Sequence, residues 1–60
     1  MIKLKRSLPE AQLDEVKPGH LVQDEHGKRG IVEKIEIFKK GREMQYYYKL
    51  SSGETILILK

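Results

Sequence analysis

His20 and His26 stand six residues apart with Asp24 and Glu25 between them, the nearest the chain comes to a set of metal-binding side chains. Tetrahedral zinc sites draw on paired Cys or His at short fixed spacings, and EF-type calcium loops on oxygen donors at alternate positions. This quartet matches neither pattern, and its place beside Gly27 reads as a turn. Nucleophilic chemistry is no better served. The chain has no cysteine, and Ser7, Ser51 and Ser52 fall in turn or lead-in contexts that favour serine for conformational reasons alone. The nine acidic residues are interleaved with basic ones, which leaves no carboxylate pair in the apolar setting that supports acid–base work. The sequence therefore predicts a protein that is not an enzyme, with no metal site and no cofactor.

The basic residues are more informative. Lys28 and Arg29 crowd one predicted turn, and Lys39, Lys40 and Arg42 crowd a second around Gly41. Projected from one rim of a small barrel, the two turns make a phosphate-sized field of positive charge. Tyr47 lies between Gln45 and Lys49 on the polar face of its strand, where a flat ring can stack on a base. Phe38, at the end of the preceding strand, falls near it across the hairpin. These features nominate Lys28, Arg29, Lys39, Lys40, Arg42 and Tyr47 as nucleic-acid-binding residues. A plainer reading accounts for the same residues. Lysine-rich hairpin tips guard sheet edges against aggregation, and an exposed tyrosine is a good cross-strand neighbour. Tyr46 and Tyr48, on the opposite face from Tyr47, read as core aromatics with hydroxyls directed to the rim.

The elements that must position these side chains are strands. "EMQYYYKL" (43–50) alternates cleanly, with Met44, Tyr46, Tyr48 and Leu50 on one face. "RGIVEKIEIF" (29–38) is a long strand, and "KKGR" (39–42) joins the two as a hairpin with Gly41 at positive φ. Within the long strand Val32 and Ile35 are three apart, which calls for a bulge or for apolar cover on both faces. "HLVQD" (20–24) and "ETILILK" (54–60) complete the sheet, with "EHGK" and "SSG" as turns. Upstream, "IKLK" reads as a short edge strand. "SLPEAQLDEV" reads as a short helical turn or irregular lead-in, with Ser7 as its N-cap. Val22, Val32, Ile35, Met44, Tyr46, Tyr48, Ile56 and Ile58 are the predicted core.

Four or five short antiparallel strands joined by tight glycine-containing turns indicate an all-β barrel, and residues 1–60 a single domain. A chain of this length buries about 60% of its unfolded surface, so its core is thin and self-association would add to it. A net charge of +3 is mildly basic and permits a nucleic-acid partner without requiring one. The longest apolar run, "ILIL" at 56–59, is far short of the roughly 20 residues a membrane helix needs. The start lacks the apolar core of a secretory signal. No membrane partner and a cytoplasmic location are the expectations.

The stretch "VKPGHLVQDEHGKRGIVEKIEI", residues 16–37, resembles a KOW motif, the β-turn-β unit of SH3-like barrels in ribosomal proteins and transcription elongation factors. Gly19, Val22, Gly27, Gly30, Val32 and Ile35 carry the likeness. Family members often place an acidic residue after the first glycine, where this chain has His20, so no ligand contact is carried over from that element. The resemblance implies an SH3-like barrel. Together with the basic turns it points to a binding module for nucleic acid, or for a transcription or translation complex. The alternative is a protein-interaction adaptor or homo-oligomeric protein, using the apolar strand 54–60 and the "IKLK" edge.

Overall fold

The computed structural model describes residues 1–60 and places β1 (Ile2–Lys3), α1 (Glu10–Asp14), β2 (Leu21–Gln23), β3 (Arg29–Lys40), β4 (Glu43–Leu50) and β5 (Thr55–Leu59). The strands form one sheet in the order β1-β2-β3-β4-β5. Its backbone is the β3–β4 hairpin, registered from Val32↔Leu50 to Lys40↔Glu43. Strand β3 runs two residues further than the sequence suggests, because only Gly41 and Arg42 are needed for the turn. Gly41 has φ of 61° while Arg42 stays at negative φ. These are the signs of a two-residue II′ loop, whose twist suits the strands it joins.

The irregular spacing in β3 is a bulge. The register steps from Val32↔Leu50 to Lys34↔Lys49, so Glu33 is the additional residue. The step returns Val32 and Ile35 to one face and bends the strand across the core. Gly30 sits where β3 crosses Leu50: a Cβ there would lie 3.2 Å from Leu50 Cδ1. Glycine there leaves Leu50 the room that a Cβ would crowd, and its φ is ordinary.

Ten side chains form the core: Leu4, Leu13, Val16, Val22, Val32, Tyr46, Tyr48, Leu50, Ile56 and Ile58. Tyr46 and Tyr48 lie in it with near-parallel rings, 7° apart in plane and 6.3 Å between centroids. Fully buried aromatics remove about 150–250 Å² each from water, worth about 4–6 kcal/mol gross at 25 cal/mol per Å². No buried side-chain polar atom lacks a partner. Burial raises the Tyr48 phenol well above its usual range, with the Tyr46 and Asp14 charges adding to the effect.

Four expectations need correction. Strand β1 pairs with β2 in parallel, Ile2↔Val22 and Lys3↔Gln23, so the sheet is mixed. A parallel pair requires a crossover, and residues 4–20 supply it, carrying α1. That helix is entered through Pro9 without a side-chain cap, so Ser7 is not its N-cap. Ile35 and Met44 are only half-buried: Met44 lies one pair from the hairpin turn, and Ile35, in register with Tyr48, packs against the core from its margin. Leu50 from β4, with Leu4, Leu13 and Val16 from the crossover, completes the interior instead. The Tyr48 hydroxyl donates to Leu13 O at 3.0 Å, tying the helix to the central strand.

The sheet is not closed by backbone hydrogen bonds, since β1 and β5 remain unpaired with each other. No helix is long and apolar enough to cross a membrane.

Candidate nucleic-acid interface

Register fixes which side chains share the outer face of the β3–β4–β5 sheet. Lys34, Lys49 and Thr55 make one cross-strand row; Glu36, Tyr47 and Leu57 the next; Phe38, Gln45 and Leu59 the third. Lys40 and Glu43 close it at the hairpin. Phe38 and Tyr47 are therefore diagonal neighbours, within reach for aromatic side chains. Their rings meet edge to face, 5.6 Å between centroids and 83° between planes. Phe38 is 50% exposed, and Leu57 and Leu59 beside the pair are 46% and 38% exposed. The Tyr47 hydroxyl donates to Gln45 Oε1 at 3.1 Å, which fixes the ring on the surface. The outcome is an apolar, aromatic platform in the middle of a solvent-facing sheet.

Charge brackets this platform unequally. At the Tyr47 end Glu36 forms ion pairs with Lys49 and, at 4.0 Å, with Lys34. The Lys49 hydrogen bond, followed by its charge, holds the Glu36 carboxyl below its usual range. One carboxylate thus offsets part of two ammonium charges there. At the Phe38 end the balance is strongly positive. An open groove is lined by Arg6, Lys40, Arg42, Lys60, Glu43 and Leu59, four cations against a single acid. Lys60 Nζ donates to Arg6 O at 2.9 Å, drawing the two ends of the chain together. Leu59 belongs both to this groove and to the row of Phe38, so charge and rings are continuous.

The six residues nominated from sequence are not one site. Lys39 and Lys40 end β3, Arg42 lies in the turn that follows, and Tyr47 is on the adjoining platform. Lys28 and Arg29 lie at the start of β3, twelve strand residues away from the hairpin tip. Lys28 reaches Thr55 at one end of β5, whereas Lys40 and Arg42 gather at Lys60 beyond its other end. The two basic turns therefore do not share a rim. Lys28 is moreover engaged, its Nζ donating to Thr55 O at 3.1 Å. Its turn is organised by Asp24, whose Oδ1 accepts from the N–H of His26 and of Lys28. His20 has a local duty too, Nδ1 accepting the Lys17 N–H at 3.1 Å.

In place of Lys28 and Arg29 the structure brings Arg6 and Lys60 to the hairpin. Sequence reasoning missed both, since 54 residues separate them. The only local signal was that each is a cation flanked by strand-like sequence.

Comparison of the chain with protein-family models, with curated proteins and with solved structures finds no match in any of the three.

Proposed function

We propose that this chain is a non-enzymatic binding module, SH3-like in the sense of its KOW resemblance, whose ligand is nucleic acid, free or held in a polymerase or ribosome. The observation that carries the reading is the junction of the four-cation groove with the exposed Phe38–Tyr47 ring pair. Phosphates need cations in an open, solvated track, and unstacked bases need flat apolar surface. Here the two lie side by side on one face. Arg6, Lys40, Arg42 and Lys60 take the backbone; Tyr47 and Phe38 take one or two bases, and Lys39, in register with Met44 on the opposite face, adds only to the field. Lys28 and Arg29, at the far end, contribute only to the long-range field.

A flexible single strand can present phosphate and base at once to such a surface. The cations sit on long flexible side chains with no partner that would hold an arginine fork toward a base edge, so little sequence preference is expected. Binding rests on counterion release plus stacking of about 1–3 kcal/mol per base. With three or four phosphates engaged, the log–log salt slope on single strands is about −2 to −3.

The test is a titration of mixed single-stranded DNA and RNA at low salt, followed by backbone amide shifts. Shifts should cluster at residues 38–47 and at Arg6 and Lys60. Reversal of Lys39, Lys40 and Arg42 to Glu should leave the fold intact and remove binding. Flat spectra, or binding indifferent to that triple reversal, would overturn the reading. The exposure of Leu57 and Leu59 beside the rings favours a competing reading, a surface for protein. An apolar contact of that kind is insensitive to salt, which separates the two.

A further inference from the structure

β5 is the last strand of the sheet and pairs only with β4. Reciprocal bonds between Met44 and Lys60, and the bond from Leu50 N to Glu54 O, set the parity of this ladder. Even-numbered residues of β5 direct N–H and C=O toward β4. Thr55, Leu57 and Leu59 direct theirs to the free edge. Across an open groove from that edge stand Leu4, Arg6 and the Asp24–His26 turn. Two lysine side chains alone bridge the seam, Lys28 to Thr55 O and Lys60 to Arg6 O. An edge of this length with exposed leucines is a template for another strand unless something blocks it, and its own interior has no charge, proline or bulge to do so.

The segment Glu54–Lys60 is complementary to its own reverse. Opposing Leu57 to Leu57 sets Thr55 against Leu59, Ile56 against Ile58 and Glu54 against Lys60. The geometry points to β5 as a self-recognition strand: two copies pair antiparallel along their free edges, with a two-fold axis at Leu57. In this register the residues with outward backbone groups meet one another, so each N–H finds a carbonyl. Glu54 and Lys60 of the second copy fall in a closely spaced, non-hydrogen-bonded pair, and the symmetry makes that ion pair twice. A slip of one residue opposes outward groups to inward ones and loses the ladder. A slip of two keeps the ladder but sets Glu54 against Ile58, or Lys60 against Ile56, and loses both ion pairs.

On pairing, Leu59 N–H of the second copy takes the Thr55 carbonyl from Lys28, and Glu54 of the second copy takes Lys60 from Arg6 O. The outer faces then join, and Leu57 beside its symmetry mate continues the Phe38–Tyr47 stripe from one copy into the other. A domain with a ten-residue core gains buried surface it cannot build alone.

Sedimentation equilibrium over a micromolar-to-millimolar concentration series, without nucleic acid, tests this. Wild type should dimerise. Leu57→Pro removes an N–H that faces the edge and not β4, so it should abolish the dimer while circular dichroism stays native. Leu57→Lys, which sets two like charges together at the axis, provides the same readout if proline unfolds the chain. Glu54→Lys and Lys60→Glu should each raise the dissociation constant about tenfold, and the double exchange should restore it to within about threefold of wild type. A monomer at every concentration overturns the proposal. So does a dimer indifferent to both Leu57 variants, or a double exchange no better than the single ones.

Discussion

Replacing Tyr48 by Phe removes one oxygen from a fully buried side chain and leaves everything else in place. That oxygen donates to Leu13 O at 3.0 Å, and the carbonyl's remaining partner is Val16 N at 3.4 Å. A hydrogen bond is worth about 0.5–1.5 kcal/mol net, and an orphaned buried acceptor costs about 1–3 kcal/mol. The surviving long bond puts the loss at about 1–2 kcal/mol. A domain of this size has about 3–9 kcal/mol in total, and each kcal/mol moves Tm by roughly 4–8 °C. Tyr48→Phe should therefore melt about 5–15 °C below wild type, with an unchanged urea m-value. The pH dependence adds a second constraint. Because the folded Tyr48 phenol ionises above the ordinary value of about 10, the unfolded chain loses its proton first. The stability this gives is complete below pH about 10 and is lost as pH rises from there through the folded value. Phe has no such proton, so the gap between the two proteins should narrow above pH about 10. Thermal and urea melts by circular dichroism at neutral and alkaline pH measure both effects. Equal melting points at neutral pH, or a gap that does not narrow, would refute the account of the helix anchor.

Gly30→Val should cost about 1–3 kcal/mol, since its branches meet Leu50 where a single Cβ already lies at 3.2 Å; urea midpoints of Gly30→Ala and Gly30→Val should fall in that order. Glu36→Gln frees Lys34 and Lys49 beside Tyr47, so affinity for single strands should rise a few-fold and the salt slope steepen by about one phosphate. The folded Glu36 carboxyl is depressed, so its contribution to stability is present above the unfolded value and lost as pH falls through the folded one. The small difference between wild type and Glu36→Gln should accordingly vanish in acid, as followed by thermal melts from pH 7 downward.

Local features were legible where they depend on neighbours in the chain. Gly41 between cations marked the hairpin turn, though not that it needs only two residues, and the alternation of residues 43–50 put Tyr46 and Tyr48 inside. The three-residue step from Val32 to Ile35 left a bulge and two-sided apolar cover as alternatives, and the register shows the bulge. Phe38 was expected near Tyr47, and the rings do meet. What failed to show was long-range. Nothing in "IKLK" distinguishes parallel from antiparallel pairing, since alternation is the same for both. The convergence of Arg6 and Lys60 depends on where the crossover delivers the chain, which no spacing encodes. The expectation of one basic rim overlooked the length of β3, which holds its two ends apart. Ile35 and Met44 have the right period for a core, yet both stay half-buried at its margin.

The crossover also divides the molecule by how soon its contacts can form. β3, β4 and β5 follow one another through turns of a few residues, so their pairings close small loops and cost little chain entropy. β1 has two registered residues, and its partner lies about twenty positions downstream. Residues 1–20 should therefore dock last on the meander, through Leu4, Leu13 and Val16, and be the first to leave it. Amides of the meander should exchange with solvent only on global unfolding, whereas those of β1 and α1 open at lower free energy. Each such opening lifts Arg6 from Lys60, so the chain's own first twenty residues govern one of the two lysine bridges along the open edge of β5.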